Sequence, residues 1–596
     1  MTTPPDDPPD APPAERGDVT DLEEATRAID DLVDRCRTPM NLPGIALAIT
    51  DRERTLHTAN SGVRDLGAGT RVDSDTLFEI GSISKSLTAL VVLQLRDEGR
   101  IDLHAPVTDA LPWFSVPSAH APITAHHLLT HTAGLVQGSE MTPAGVSEVW
   151  RLRKVDVGGP PGWTFHYSNH GYKTLGLMVQ HITGRPFPEE LRERILEPLG
   201  MDRTAPAITR ALAPRMATGY EALRDDRPLG PGGRLTPAGL FDSDTADGGI
   251  ASTAEDMAAY LRMLLNDGRG PAGPVVSAEA FAEMISPLVA SSDPPYHDAA
   301  YGYGLNVDEL DGRRRVGHGG GMVGFSAHID LDLDTGVGVV VLTNGPWSPA
   351  PIAEFALRSV CAAILRSAPP VPPELDYAKV AGAERYAGTY RAPGGPVAAE
   401  GDSAALTIVA DGDSLVLAEG EHSVPLVRSE DPEAFVAAEG SLGVFALRFE
   451  RRGDEVVGLV HGPGRYVREH GEHGEDETAD DHERIAGEGD AEEDEDGNGF
   501  ENELPEEYEA FVGHYRAHNP WFSNFRVVAR DGKLLLIAPG GVEAPEAEPV
   551  LVPLRDGSFQ LGEAATPERI RFDTFVDGVA IRATLSGGRY YRTFTP

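Results

Sequence analysis

Phe78-Glu79-Ile80-Gly81-Ser82-Ile83-Ser84-Lys85-Ser86-Leu87-Thr88-Ala89-Leu90, continuing apolar to Leu95, is the stretch on which the reading of this chain turns. The apolar run predicts a buried helix. At 3.6 residues per turn a serine three residues before a lysine shares that lysine's face, with the amine in reach of the hydroxyl. Ser82 then stands at the helix N-terminus, where unpaired backbone N–H groups and the helix dipole favour an anion. Ser-x-x-Lys alone is a frequent coincidence, so its meaning depends on the residues downstream of it.

A nucleophilic serine needs a base, an oxyanion hole and groups that steer the acyl chain. Pro160-Pro161-Gly162 opens a loop that ends in Tyr167-Ser168-Asn169, and a tyrosine placed against Lys85 can relay the Ser82 proton. Val316-Gly317-His318-Gly319-Gly320-Gly321 reads as the end of a strand whose glycines let a substrate approach the backbone closely. One N–H of that strand, with that of Ser82, can hold an oxyanion.

In order, Ser82-Ile83-Ser84-Lys85, Tyr167-Ser168-Asn169 and His318-Gly319-Gly320 resemble the three motifs of the serine β-lactamase and penicillin-binding protein superfamily. The similarity is to the branch holding class C β-lactamases, D,D-carboxypeptidases, D-aminopeptidases and related esterases. The phrases LLTHTAGL (128–135), PLGMDRT (198–204), GGIASTAEDMA (248–258) and GHGGGMVGFSA (317–327) extend it over about residues 21–366. The resemblance implies an α+β fold, an antiparallel sheet flanked by helices beside a helical lobe. It further implies Ser82 as nucleophile, Lys85 as general base and Tyr167 as proton relay, with Asn169 orienting the substrate amide or Lys85. The main-chain N–H groups of Ser82 and Gly321 would form the oxyanion hole, and His318, Gly319, Gly320 and Gly321 would line the substrate.

His318 departs from the lysine of the penicillin-recognising version. A lysine there is a permanent cation for a substrate carboxylate, whereas histidine is mostly neutral near pH 7. The expected substrates are therefore short esters, amides or peptides with an N-terminal D-residue. The alternatives are a β-lactamase or D,D-carboxypeptidase, a sensor that is acylated but not turned over, and a protein whose tail domains carry the function on a hydrolase scaffold. No cofactor or metal is expected: His126, His127 and His131 lack an acidic partner in a recognisable frame. Ser252-Thr253 reads as a helix cap completed by Asp256. Trp521, in HNPWFSNFRV (518–527), is either a local core aromatic or a plug for the cleft.

The net charge of −43 repels nucleic acid and anionic membranes, and no partner beyond a small substrate is expected. Only five lysines (85, 154, 173, 379 and 533) stand beside 46 arginines, a balance suited to high internal salt or a GC-rich genome. Residues 1–18 lack the basic and apolar pattern of an export signal, apolar runs fall short of a membrane span, and Cys36 and Cys361 form no framework, so cytoplasmic residence is the expectation.

Six segments are expected: a disordered acidic tail (1–18), the hydrolase domain (19–366), a proline-rich linker (367–383), a small β-domain (384–468), an acidic disordered linker (469–507) and a second β-domain (508–596). The β-domains are read as copies, barrel or sandwich in form. Glu384–Ala392 (ERYAGTYRA) matches Glu509–Ala517 (EAFVGHYRA) at an offset of 125, and GRYVR (464–468) matches GRYYR (588–592) at 124. In the hydrolase domain, Asp21 with Glu24 is expected to cap a first helix, and Thr124 and Gly134 to bound another.

Overall fold

The computed structural model describes residues 19–138, 142, 145–155, 157–291, 299–392, 405–419, 422–431, 434–437, 441–469, 505–540, 548–562 and 566–593. The acidic tail (1–18) and most of the acidic linker lie outside them.

Gly44–Thr50 and Val337–Thr343 are buried at every position and pair antiparallel, Ile45 opposite Thr343 and Thr50 opposite Gly338. Successive side chains on a strand point to opposite faces, so strands apolar throughout must be covered on both. Ile45, Leu47, Ile49, Val337, Val339 and Val341 pack into one cluster with Ile29, Leu32, Ile352 and Val360 of the helices Val19–Cys36 and Ala350–Leu365. Ala46, Ala48, Val340 and Leu342 face the larger core that contains the helical lobe. Each fully buried aliphatic side chain contributes about 1.5–3 kcal/mol. Chain segments some 300 residues apart are thereby closed into one nine-stranded sheet.

From one edge its strands run Val289–Ser291, Ala299–Tyr301, Asn306–Leu310, Arg313–Met322, Phe325–Asp332, Val337–Thr343, Gly44–Thr50, Thr55–Asp65 and Thr70–Arg71. The helix Ser84–Asp97 crosses the larger core with Ser84 to Leu93 all buried, which explains its weak amphipathicity. Among the described residues, no helix is long and apolar enough to cross a membrane.

Two all-β units follow. Eight strands from Gly388–Arg391 to Gly464–Arg468 close into a barrel through Tyr390 opposite Arg468. Eight more, from Gly513–Arg516 to Gly588–Thr593, form a sheet whose edge strands Lys533–Ile537 and Leu551–Pro553 meet in a bridge between Leu535 and Val550, a nearly closed barrel. Inside the acidic linker as read from the sequence, Glu506 already begins the helical turn Glu506–Glu509.

Two local expectations are corrected. The first helix starts at Val19, so Asp21 lies in its first turn and acts on the helix dipole. The helix capped by Thr124 is only Ala125–Leu129: His131, at φ 56°, leaves the helical region three residues before Gly134.

Candidate active site

Gly81–Ile83 forms a single 3₁₀ turn that runs directly into the helix Ser84–Asp97. Gly81 has φ +51°, and a Cβ there would fall 2.7 Å from Gly321 N, so the turn is pressed against the glycine strand. A Cβ on Gly320 would meet Ile80 O at 2.0 Å. This corrects one reading of the glycines: at Gly320 the close approach is to the chain's own Ile80 carbonyl, which brings the backbone of Gly321 beside Ser82.

Lys85 is fully buried. Its Nζ lies 2.9 Å from Ser82 Oγ, 2.8 Å from Asn169 Oδ1 and 3.0 Å from Asp247 O. Of these three, the amide and main-chain oxygens can only accept. Lys85 Nζ donates to all three as an ammonium; in the neutral form, with its two hydrogens on Asn169 and Asp247, its lone pair can accept from Ser82 Oγ–H. The arrangement is that of a general base beside a nucleophile.

Tyr167 presents its ring to Lys85, with Nζ 4.8 Å from the ring centroid. Behind it lies His131, ring centroids 4.3 Å apart, whose Nδ1 accepts the Ser168 N–H at 3.0 Å. Burial holds His131 well below the usual histidine pKa. His318 is also buried. Its Nδ1 lies 2.5 Å from Gly319 O, and because a carbonyl only accepts, that nitrogen carries the hydrogen; Nε2 then accepts from Tyr301 Oη at 3.1 Å. Burial pushes the His318 pKa down to about 3. His318 is a neutral ring locked into the wall of the site. Asn169 opens the helix Asn169–Thr183, capped by the Ser168 hydroxyl, and Gly319–Gly321 are only half-buried along the same wall.

Three further groups were not singled out from the sequence. Asp247 supplies the carbonyl that holds Lys85. Lys173, one helical turn beyond Asn169, is buried, ion-paired to Glu148 and 3.7 Å from Asp247 Oδ2. A signal was available: in a chain with five lysines, one stands four residues after the asparagine of the second motif. Glu568 comes from the second β-domain; its Oε1 accepts the Gln137 N–H at 2.7 Å and lies 3.1 Å from His166 Nε2, immediately before Tyr167. Nothing local to Glu568 signals this.

Trp521, readable from the sequence as core aromatic or plug, packs into the core of the hydrolase domain rather than that of its own. Only 5% exposed, it belongs to the core cluster of the hydrolase domain, its ring centroid 5.6 Å from Lys173 Nζ. Its loop is anchored by Asp225, whose Oδ2 accepts from Arg516 at 2.6 Å and Ser523 at 2.9 Å, and whose main-chain oxygen accepts from Asn524 at 2.7 Å.

The histidines 126, 127 and 131 do separate jobs. His126 Nδ1 meets Tyr303 Oη at 2.8 Å, His127 completes the Thr124 capping box, and His131 backs Tyr167. Among the described residues, no group of three or more metal-ligating side chains is assembled. Thr253 caps its helix as read, by accepting the Asp256 N–H at 3.2 Å. The Asp256 carboxylate instead accepts from Arg203 N, Thr204 N and Thr204 Oγ1, tying that helix to the preceding loop.

Residues 29–360 match the family model described as Beta-lactamase. Penicillin-binding protein 4 of Amycolatopsis lactamdurans is 32% identical over 326 residues, 52% of this chain and 83% of that one. The octameric penicillin-binding protein homologue from Pyrococcus abyssi superposes with a TM-score of 0.54 at 25% identity, covering 76% of this chain and all of that one.

Proposed function

Because this chain belongs to the β-lactamase family, we propose that it is a serine hydrolase that works through a covalent acyl-enzyme at Ser82 on small ester or amide substrates, in the manner of an esterase or a D-amino-acid peptidase. The observation that carries this reading is the hydrogen-bond set of Lys85, whose amine lies 2.9 Å from Ser82 Oγ and is held there by Asn169 Oδ1 and the Asp247 main-chain oxygen, the setting in which a neutral amine can take the Ser82 proton.

The chemistry proceeds from that set. Lys85 Nζ takes the Ser82 proton as Oγ bonds to the substrate carbonyl carbon, and the oxyanion is held by the N–H groups of Ser82 and Gly321. Collapse breaks the bond to the leaving alkoxide or amine, which takes the proton back from Lys85, with Tyr167 beside it as the relay. Water, deprotonated by the same pair, then attacks the acyl carbon, and Ser82 recovers its proton as the acid leaves.

His318 supports substrates without a carboxylate at the third motif. Both its ring nitrogens are engaged inside the protein, and its depressed pKa keeps it uncharged. The test is labelling by a fluorophosphonate probe, expected for the wild type and absent in Ser82→Ala; an unlabelled wild type rules the mechanism out. Short p-nitrophenyl esters and D-alanyl amides should turn over faster than nitrocefin, and the reverse order would overturn the argument from His318.

A further inference from the structure

The second β-domain reaches the loop that presents Tyr167 to Lys85, and it does so with a single carboxylate. Residues 157–168 form neither helix nor strand, and Tyr167 stands one residue before the Ser168 cap of the helix Asn169–Thr183. Segments of this kind hold their place only through the bonds that tie them down. Inside the hydrolase domain, His166 N–H donates to His131 O at 2.8 Å, Ser168 Oγ to Val136 O at 2.8 Å and Asn169 N–H to Gln137 O at 2.8 Å. Residues 166–169 are thereby laid along residues 131–137, with Tyr167 between two fixed neighbours.

Glu568 closes this bracket from outside the domain. Its Oε1 accepts the Gln137 N–H at 2.7 Å and lies 3.1 Å from His166 Nε2, so one oxygen joins both segments. A carboxylate only accepts, and His166 Nε2 therefore carries the hydrogen of that contact. Glu568 Oε2 accepts the Ser586 hydroxyl, and Ser586 N–H donates to Arg569 O at 2.8 Å, which orients the carboxylate from its own barrel. The Glu568 side chain is 17% exposed and that of His166 20%, so water is a poor substitute for either partner.

On the basis of the serine-hydrolase reading, we infer that Glu568 is a positioning residue for the reaction: from the second β-domain it fixes the segment that places Tyr167 beside Lys85, so that full turnover requires that domain in place. Glu568 acts through Tyr167, since its bonds fall on the residue before it and on the strip of chain alongside. A displacement of about 1 Å in a catalytic group can cost about a hundredfold in rate, which sets the scale of what this one contact controls.

The experiment measures kcat/KM for p-nitrophenyl propionate with the full chain as wild type, Glu568→Ala, Glu568→Gln, Tyr167→Phe and the double variant Glu568→Ala/Tyr167→Phe. Each value is normalised to the fraction of Ser82 titrated to completion by a fluorophosphonate. Glu568→Ala is expected to lower the value at least about tenfold. Glu568→Gln should stay within about threefold of wild type, because its amide oxygen accepts the same two hydrogens and its amide N–H can donate to Ser586 Oγ. In the Tyr167→Phe background Glu568→Ala should cost less than about twofold, the group it positions being gone. Equal losses in the two backgrounds, no loss in the first, or a Glu568→Gln as poor as Glu568→Ala overturns the inference. Should Glu568→Ala fail to fold, His166→Ala, which removes one of the two ties, is tested in the same two backgrounds against the same criterion. A wild type that the probe leaves unlabelled breaks the hydrolase reading and the inference with it, whereas labelling with equal losses overturns the inference alone.

Discussion

The two β-domains share a framework and differ in where their loops go. Tyr390 and Tyr515, 125 residues apart, are both fully buried, and each hydroxyl donates to the carbonyl four residues back, Tyr386 at 2.6 Å and Phe511 at 2.8 Å. Arg468 and Arg592, at the offset of 124, reach the equivalent carbonyls of Arg385 and Ala510. The loop between the fifth and sixth strands, in contrast, has two uses. In the first domain it puts Phe445 against Val528, Leu535 and Ile537 of the second domain, under the Arg526 guanidinium. In the second domain it carries Glu568 to Gln137 and His166 at the edge of the active site. Through this loop the first domain meets the second and the second meets the hydrolase, while the first also touches the hydrolase elsewhere, Glu430 Oε1 accepting the Ser348 N–H at 2.7 Å. The two domains share the buried hydrogen bonds that hold each barrel, and their loops have different partners.

The comparison makes predictions that can be ranked. Ser82→Ala should lower ester turnover at least about a thousandfold while thermal melting stays unchanged, because neither β-domain supplies the nucleophile; substantial residual turnover would place chemistry outside the hydrolase domain. Trp521→Ala should cost about 3–5 kcal/mol in urea unfolding, through the emptying of a core site. Phe445→Ala, half-buried at the corresponding junction of the first domain, should cost about 1–2 kcal/mol. Equal losses would mean that both junctions bear alike on the core.

Glu568→Gln tests the cleft-side loop through pH. Burial pushes the Glu568 carboxyl up, but hydrogen bonds from His166, Ser586 and the Gln137 N–H outweigh it and hold the pKa below the usual carboxylate value. A carboxyl held low in the folded state stabilises above its unfolded pKa of about 4.3, and that stability is lost as pH falls through the folded value. The gap in Tm between wild type and Glu568→Gln should therefore be present at pH 6 and close below about pH 4. A gap that widens on acidification would contradict this sign. The smallest effect concerns what the domains share: Tyr390→Phe and Tyr515→Phe should each cost about 1 kcal/mol, and clearly unequal values would show that the two frameworks are held differently.

Much of the site was legible because its chemistry is local to short motifs. Ser82 and Lys85 share one turn, and Tyr167 and Asn169 sit at the entry to one helix, so spacing alone orders them. The neutrality of His318 was legible as a residue type, whereas its inward hydrogen bonds to Gly319 and Tyr301 were not. Asp256 illustrates the limit: it stands at a capping-box position, yet its carboxylate is drawn to Arg203 and Thr204 because tertiary packing brings those donors closer.

By itself the sequence determined the family and the alternation of strand and helix, and it supplied the proposals of a repeated tail domain and of Ser82 and Lys85 as nucleophile and base, all of which rest on periodicity and on residues a few positions apart. Only the tertiary structure decided that a carbonyl from residue 247 completes the Lys85 environment and that Trp521 and Glu568 cross from the second β-domain into the hydrolase domain. Those contacts join residues 162 to 431 positions apart or depend on the packing around them, and a linear pattern carries no record of which distant surfaces meet.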